Sequence, residues 1–321
     1  MNSFGHNFRV TVFGESHGPV VGVVLDGVPA GIELCEEDFA EDIARRAPGE
    51  AGTTARKEAD KPRFLSGVFD GHTTGAPLAI VFDNENTRPE DYAQFAATPR
   101  PGHADFVAAV KFDGANDPRG GGHFAGRLTL PIVAAGVVAK KMMEVPIAAD
   151  IVELGGSADK AEWPAKLEAA KKEGDSLGAI IECSIEGLPI GLGEPFWDSV
   201  ESMISHAIFA IPGVRGIEFG DGFRAAAMKG SEHNDPFGPE GPVKNGAGGV
   251  NGGITNGAPV VFRVAFKPTS SIARAQQTWN YEAEKLEKLE IAGRHDVCFA
   301  LRCPVIVEAM AAIVLADLLY R

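Results

Sequence analysis

The chain has 321 residues, and Lys+Arg 30 against Asp+Glu 44 gives a formal net charge of −14, which argues against nucleic acid or an anionic membrane surface as a partner. Hydrophobic residues at 45% and charged residues at 23% are the proportions of a folded globular protein, so disordered, collagen-like and coiled-coil readings are excluded. Cys35, Cys183, Cys298 and Cys303 are scattered and no secretory signal is read over residues 1–10, which leads to the expectation of free thiols and a cytoplasmic protein.

Taken in chain order, Phe8–Phe13 alternates and Val20–Leu25 is a β-branched run, so the N-terminus reads as strand, loop, strand. Glu36–Arg46 carries acids in its first turn and arginines in its last, which suits a helix dipole. Phe64–Phe69 and Pro77–Phe82 have strand composition, and Asp83–Pro101 is a long polar connection. Phe124–Met143 has the length of a buried helix opened by Gly120-Gly121-Gly122, with Pro131 in its first turns or at a kink. Ile147–Glu153 reads as a strand, Glu162–Lys172 as a helix, Ala179–Glu186 as a strand and Asp198–Ala210 as a helix. Val214–Phe219 and Ala258–Phe266 read as strands, Tyr281–Glu290 as an acidic exposed segment and Pro304–Leu319 as a terminal helix. That last stretch, interrupted by Glu308 and Asp317, is the best candidate for an apolar run and falls short of the roughly 20 residues that span a bilayer. Strands and helices interleave without a low-complexity linker, so residues 1–321 are expected to form one α+β domain.

Several motifs carry chemistry. Gly14-Glu15-Ser16-His17-Gly18 has the spacing of a nucleophile elbow, but Pro19 and a strand follow where that motif needs a helix. Arg119-Gly120-Gly121-Gly122 reads as an anion site, with backbone N–H groups at a helix start and Arg127 one turn in. A dinucleotide fingerprint fails there, because no strand precedes it and no acid follows about 20 residues on. Arg100-Pro101-Gly102-His103-Ala104-Asp105 places an imidazole on a turn, where it could work as an acid or base. Lys267-Pro268-Thr269-Ser270-Ser271 ends a strand with a cation and three hydroxyls, a composition that suits phosphate. His295, Cys298 and Cys303 lack the spacing and fourth ligand of a zinc site, and no metal is expected. Against the acidic background, Arg45, Arg46, Arg100, Arg119, Arg127, Lys267 and Arg294 gather in the glycine-containing motifs, which calls for a small polyanionic ligand.

In this order these segments resemble the chorismate synthase family. So do Leu65-Ser66-Gly67-Val68-Phe69, Gly174-Asp175-Ser176-Leu177-Gly178, Gly191-Leu192-Gly193-Glu194-Pro195, Gly220-Asp221-Gly222-Phe223 and Gly293-Arg294-His295-Asp296, so the resemblance covers nearly the whole chain. It implies a β-α-β sandwich with helices enclosed between two antiparallel sheets, assembled as a homotetramer. It also implies a lyase that converts 5-enolpyruvylshikimate 3-phosphate to chorismate by 1,4-elimination of phosphate, with reduced FMN required although no net redox change occurs. By resemblance His17 assists the departing phosphate, His103 protonates reduced flavin and Asp296 relays a proton. Ser16, Arg46, Arg100 and Arg127 would hold substrate. His123, Phe124, Ala125, Pro212, Gly213, Gly252, Lys267, Pro268, Thr269, Ser270, Ser271 and Arg294 would hold flavin. Two departures stand out. Where the family usually has Arg-Ser-Ser-Ala-Arg-Glu after the triple glycine, this chain has His123-Phe124-Ala125-Gly126-Arg127-Leu128, and an arginine common in relatives is replaced near Gly52. An external flavin reductant is therefore expected. The rival reading is a non-catalytic binding protein for phosphorylated small acids, which would have no use for both His17 and His103.

Overall fold

The computed structural model describes residues 2–49, 52–53, 59–85, 92, 94–239, 241–291 and 295–320. The first strands are β1 (Ser3–Phe4), β2 (Arg9–Gly14), β3 (Val20–Asp26), β4 (Arg63–Ser66), a small hairpin of β5 (Val68–Phe69) and β6 (His72–Thr73), and β7 (Leu78–Asp83). All but the hairpin form one antiparallel sheet in the order β1-β2-β3-β7-β4. Next come β8 (Ile147–Leu154), β9 (Ala179–Ile185), β10 (Val214–Phe219), the short hairpins β11 (Phe237–Gly238) with β12 (Gly241–Pro242) and β13 (Val250–Asn251) with β14 (Ile254–Thr255), and β15 (Val260–Phe266). A second antiparallel sheet runs β10-β15-β9-β8. Strict alternation of buried and part-exposed residues along β9 and β15 turns one face of this sheet inward.

The helices are α1 (Ala40–Arg46), α2 (Asp105–Lys111), α3 (Thr129–Met142), α4 (Trp163–Glu173), α5 (Val200–Ile208), the single turn α6 (Gly230–His233) and α7 (Pro304–Leu319). Four of them fill the space between the sheets: α3 packs on β3 and β7, α7 on β8 and β9, α5 on β10, and α1 on α3. The helices lie between two antiparallel sheets, as the resemblance implied. α7 is buried from Val305 to Leu318, and a helix apolar on every side belongs in a core. It crosses α3 closely, since a Cβ on Gly136 would lie 2.4 Å from that of Ala309. The two acids that interrupt α7 are both used inside, although Asp317 Oδ2 stays buried without a hydrogen-bond partner. Glu308 takes both terminal nitrogens of Arg45 at 2.8 and 2.6 Å, Lys140 at 3.1 Å and the Ala149 N–H at 3.0 Å. Asp317 Oδ1 accepts the backbone N–H groups of His6, Asn7 and Phe8, which pins the N-terminal segment to the last helix. Cys183, Cys298 and Cys303 are buried free thiols, and Cys35 is exposed.

Three expectations change. The triple glycine does not open the long helix: Gly120, Gly121 and Gly122 have φ of 61°, 83° and 54°, a left-handed turn, and α3 starts only at Thr129. Pro131 then falls in the first turn of α3, where its missing N–H costs nothing. The Tyr281–Glu290 segment is largely exposed, as expected, but it is the turn and second arm of a hairpin, β16 (Gln276–Asn280) with β17 (Lys285–Leu289), whose Leu289 packs with Phe95 and Ile291 in a small separate apolar cluster. Finally, among the described residues the longest apolar run of helical turns is Arg119–Met142 rather than Pro304–Leu319, but its regular helix α3 has only 14 residues, short of the roughly 20 that span a bilayer, and 83% of its most apolar window is buried within the protein.

Candidate active site

The glycine turn is a wedge between two histidines. A Cβ on Gly120 would stand 2.3 Å from His17 Nδ1, and one on Gly121 would stand 3.0 Å from His103 Cε1. Bare, left-handed backbone here lets both imidazoles close on one loop. The loop is tied to the strand connection before β3 by the Ser16 N–H donating to the Gly122 carbonyl at 3.1 Å. His17 lies beside Ser16 Oγ at 3.3 Å and meets the Tyr92 ring edge-on at 5.1 Å.

His103 is held by its neighbours in the turn. Its Nδ1 lies 2.6 Å from Asp105 Oδ1, while Arg100 Nε and Nη2 donate to Oδ2 and Oδ1 of the same carboxylate at 2.8 Å each. Arg100 Nη2 is also 3.1 Å from Nδ1, but a guanidinium has no lone pair to offer and the carboxylate is the acceptor present. Hydrogen-bond geometry therefore assigns the proton to Nδ1 and leaves Nε2 unprotonated in the neutral ring. Burial alone would raise the Asp105 carboxyl; the bonds and charges of Arg100 and His103 overrule it and hold it well below the usual carboxylate range. The Phe95 ring covers the Arg100 guanidinium at 4.7 Å. Lys267 Nζ donates to Ser270 Oγ at 2.7 Å and to the Gly102 carbonyl, Ser270 donates to that carbonyl at 2.8 Å, and Arg100 Nη1 donates to Ser271 Oγ at 3.3 Å. The end of β15 thus clamps the His103 turn. Burial, and then the charge of Arg215, lowers the Lys267 ammonium.

These pieces face a cavity of about 870 Å³. Ser16, Arg46, His103, His123, Phe124, Ala125, Arg127, Pro212, Gly213, Lys267, Thr269, Ser270, Ser271 and Asp296 all line it. Arg100 stands behind His103 and His17 behind Gly120, neither on the lining. Pro268 is exposed and off the lining, and Gly252 sits apart on the β13–β14 turn. Arg294 lies outside the described residues.

Arg46, Arg100 and Arg127 are each 8% exposed or less, so the cation wall is inside the protein. Burial pulls the Arg46 guanidinium down to about 9, with Asp60 opposing, which leaves it charged at neutral pH. Arg127 donates to Asn84 Oδ1 at 2.9 Å and to the Asp83 carbonyl at 3.2 Å, and Asn84 in turn donates to the Glu15 and Gly18 carbonyls. The ends of the Ser16-His17 loop and the cation wall therefore share one bracket. His123 Nδ1 bonds the Gly14 carbonyl at 2.7 Å, so that ring fastens the loop from the other side.

Sequence reasoning missed three charged partners: Asp60 beside Arg46 and Arg127, Asp105 beside His103, and Arg302, which donates to Asp296 Oδ2 at 2.7 Å. Asp105 stood in the His103 motif but was given no role; Asp60 and Arg302 carried no motif. The cavity also holds two buried polar atoms without a protein partner, Thr269 Oγ1 and Arg302 Nε. The Cys303 thiol, below this floor, is pushed up by burial and is a packing group. Among the described residues no cluster of His, Cys, Asp and Glu could hold a metal.

A family model described as chorismate synthase matches residues 8–320. A chorismate synthase of Chitinophaga pinensis is 58% identical over 321 residues, covering 99% of this chain and 96% of the relative. One from Korarchaeum cryptofilum is 44% identical over 352 positions, covering 99% and 97%. A solved structure titled as the crystal structure of chorismate synthase superimposes with a TM-score of 0.75 at 26% identity, covering 98% of this chain and 92% of that one. The match runs nearly end to end in sequence and in fold, and the chain belongs to the chorismate synthase family.

Proposed function

We propose that the arginine-walled cavity binds 5-enolpyruvylshikimate 3-phosphate beside reduced FMN, and that the elimination of phosphate to give chorismate takes place there. Family membership makes the chain a shikimate-pathway lyase acting on a small molecule. The observation that carries the assignment of the site is the convergence of Arg46, Arg100 and Arg127, all buried, with His17 and His103 on the two sides of one glycine turn. Buried cations without full compensation favour a ligand that brings several negative charges, as a phosphorylated dicarboxylate does.

In this reading Arg46 and Arg127 hold the substrate's anionic groups, and Ser16 adds a hydroxyl. His17, packed on Gly120, gives a proton to the departing phosphate. His103, oriented through Nδ1 by Asp105, holds or releases a proton at Nε2. Asp296, anchored through Oδ2 by Arg302, relays the proton lost from the substrate ring. Reduced FMN, when bound, would supply electron density to the breaking C–O bond. Its holders are His123, Phe124, Ala125, Pro212, Gly213, Lys267, Thr269, Ser270 and Ser271, with Pro268 as a spacer and Gly252 and Arg294 added by resemblance. The fit is supported by the unpartnered buried Thr269 Oγ1 and by a cavity of about 870 Å³, within the range of sites that enclose a cofactor-sized ligand.

We further infer that an outside reductant supplies the reduced flavin, because residues 123–128 offer none of the family's serine hydroxyls. Free cysteines support a reducing, cytoplasmic location, and a shared apolar core supports one domain over residues 1–321. Exposed Phe196, Trp197, Phe223 and Phe237 support self-association, with a homotetramer as the expected state.

The test is an anaerobic assay with chemically reduced FMN and 5-enolpyruvylshikimate 3-phosphate, following chorismate and phosphate together, with oxidised FMN as the control. Equal amounts of both products, only with reduced flavin, are expected. Tight substrate binding without product would replace this reading with that of a binding protein for phosphorylated acids.

A further inference from the structure

We propose that Asp60 is the built-in counter-anion of the arginine wall, a positioning residue that keeps Arg46 and Arg127 oriented toward the cavity until a ligand's own anionic groups share their charge. The proposal rests on the reading that the cavity receives an anionic substrate.

Three observations carry it. First, the ion group is buried: the side chains of Asp60, Arg46 and Arg127 are each only 6% exposed. Second, one carboxylate serves two cations with different oxygens. Oδ1 bonds Arg127 Nη1 at short range, and Oδ2 lies 3.5 Å from Arg46 Nη1. Among the described residues the other bonds of those arginines go to neutral partners: Arg46 Nε takes Thr129 Oγ1 at 3.1 Å, and Arg127 takes Asn84 and the Asp83 carbonyl. Third, among the described residues the charges do not cancel. Asp60 offsets one of the two guanidinium charges, and the nearby Arg302 is already paired with Asp296. Asp60, Arg46 and Arg127 all line the same cavity, so the remaining positive charge faces the space where a ligand would sit.

The physical reason for such an arrangement is that two buried guanidinium groups repel each other strongly in a low-dielectric setting. Without an anion between them they would turn away or draw one from solution. A fully neutralised pair would bind an anionic ligand weakly, and an uncompensated pair would not hold its geometry. One carboxylate for two arginines is the intermediate case.

The test uses the full chain and inorganic phosphate as the probe, and it reads thermal stability rather than turnover, so it stands or falls separately from the assay above. Asp60→Asn keeps the shape and removes the charge. Its Tm is expected to fall by roughly 5–10 °C. Saturating phosphate is expected to restore at least half of that loss, a clearly larger shift than it gives the parent protein, because the added anion replaces the missing one. Asp60→Asn/Arg127→Gln, which removes one charge of each sign, is expected to be more stable than Asp60→Asn alone. Equal phosphate shifts in parent and variant would overturn the proposal, as would a double variant whose losses simply add. If Asp60→Asn gives no soluble protein, the double variant must; its failure as well would be equally decisive against the idea.

Discussion

Asp105→Asn is the substitution that most directly questions the account of His103. The carboxylate takes Arg100 Nε on Oδ2 and Arg100 Nη2 on Oδ1, and Oδ1 also lies 2.6 Å from His103 Nδ1. An asparagine offers one oxygen and one N–H₂ group in the same shape. With its oxygen toward His103, its amide hydrogens point at the Arg100 guanidinium; with its oxygen on Arg100 Nε, its amide faces Nδ1 and favours the opposite tautomer. Either way one partner is lost. Arg100 and Asp105 have side-chain exposures of 6% and 10%, so a buried pair is broken and the cost in stability is about 3 kcal/mol. The cost in turnover is roughly 10²-fold or more, since the imidazole no longer presents Nε2 in the required form. Steady-state kinetics on the reduced-flavin assay, beside urea unfolding of parent and variant, measure both. The two proteins also differ with pH. Because the Asp105 carboxyl is depressed in the folded chain, its contribution stands in full at neutral pH and is lost progressively as pH falls below about 4. The variant lacks that part of the acid sensitivity. A turnover rate within threefold of the parent, in a variant that shows the stability loss, would refute the assignment of the His103 tautomer to Asp105.

Gly120→Ala adds a methyl group 2.3 Å from His17 Nδ1 at a φ of 61°, and is expected to lower kcat by roughly 10²-fold through displacement of the imidazole, with a stability cost of only about 1–2 kcal/mol; a rate equal to the parent's would separate His17 from the chemistry. Thr269→Val removes a buried hydroxyl that has no protein partner, so the flavin-free protein should keep its Tm while reduced FMN binds about fivefold more weakly by anaerobic titration. An unchanged affinity would take Thr269 off the flavin. Glu308→Gln leaves Arg45 and Lys140 without their shared carboxylate and should cost about 3 kcal/mol. Burial would raise the Glu308 carboxyl, but Arg45 and Lys140 hold it low, so the difference between parent and variant is full at neutral pH and narrows as pH falls below about 4. Denaturant curves at pH 7 and pH 3 with the same gap would contradict that.

Local order was legible from residues alone wherever one physical pattern ran unbroken. The strand composition of Ala258–Phe266, the β-branched run of Val20–Leu25 and the proline-led apolar stretch Pro304–Leu319 name their own elements, because each follows from residue types next to one another along the chain. The motifs that hold Ser16, His103 and Lys267–Ser271 were also plain, since glycine, imidazole and clustered hydroxyls are informative as types. Two things needed the third dimension. Gly120-Gly121-Gly122 were read as a helix start, yet whether glycines open a helix or turn left-handed depends on what they must pass between, here the rings of His17 and His103. Asp60 and Arg302 were unremarkable in the sequence because an acid or base gains its role from the charge it meets. Asp60 meets Arg127 across 67 positions of chain, and Glu308 meets Arg45 across 263. Periodicity is a property of neighbours along the chain, so the sequence by itself determined the elements, the motifs and the family likeness. Charge compensation in a buried site is a property of neighbours in space, so only the tertiary structure decided which carboxylate answers which arginine.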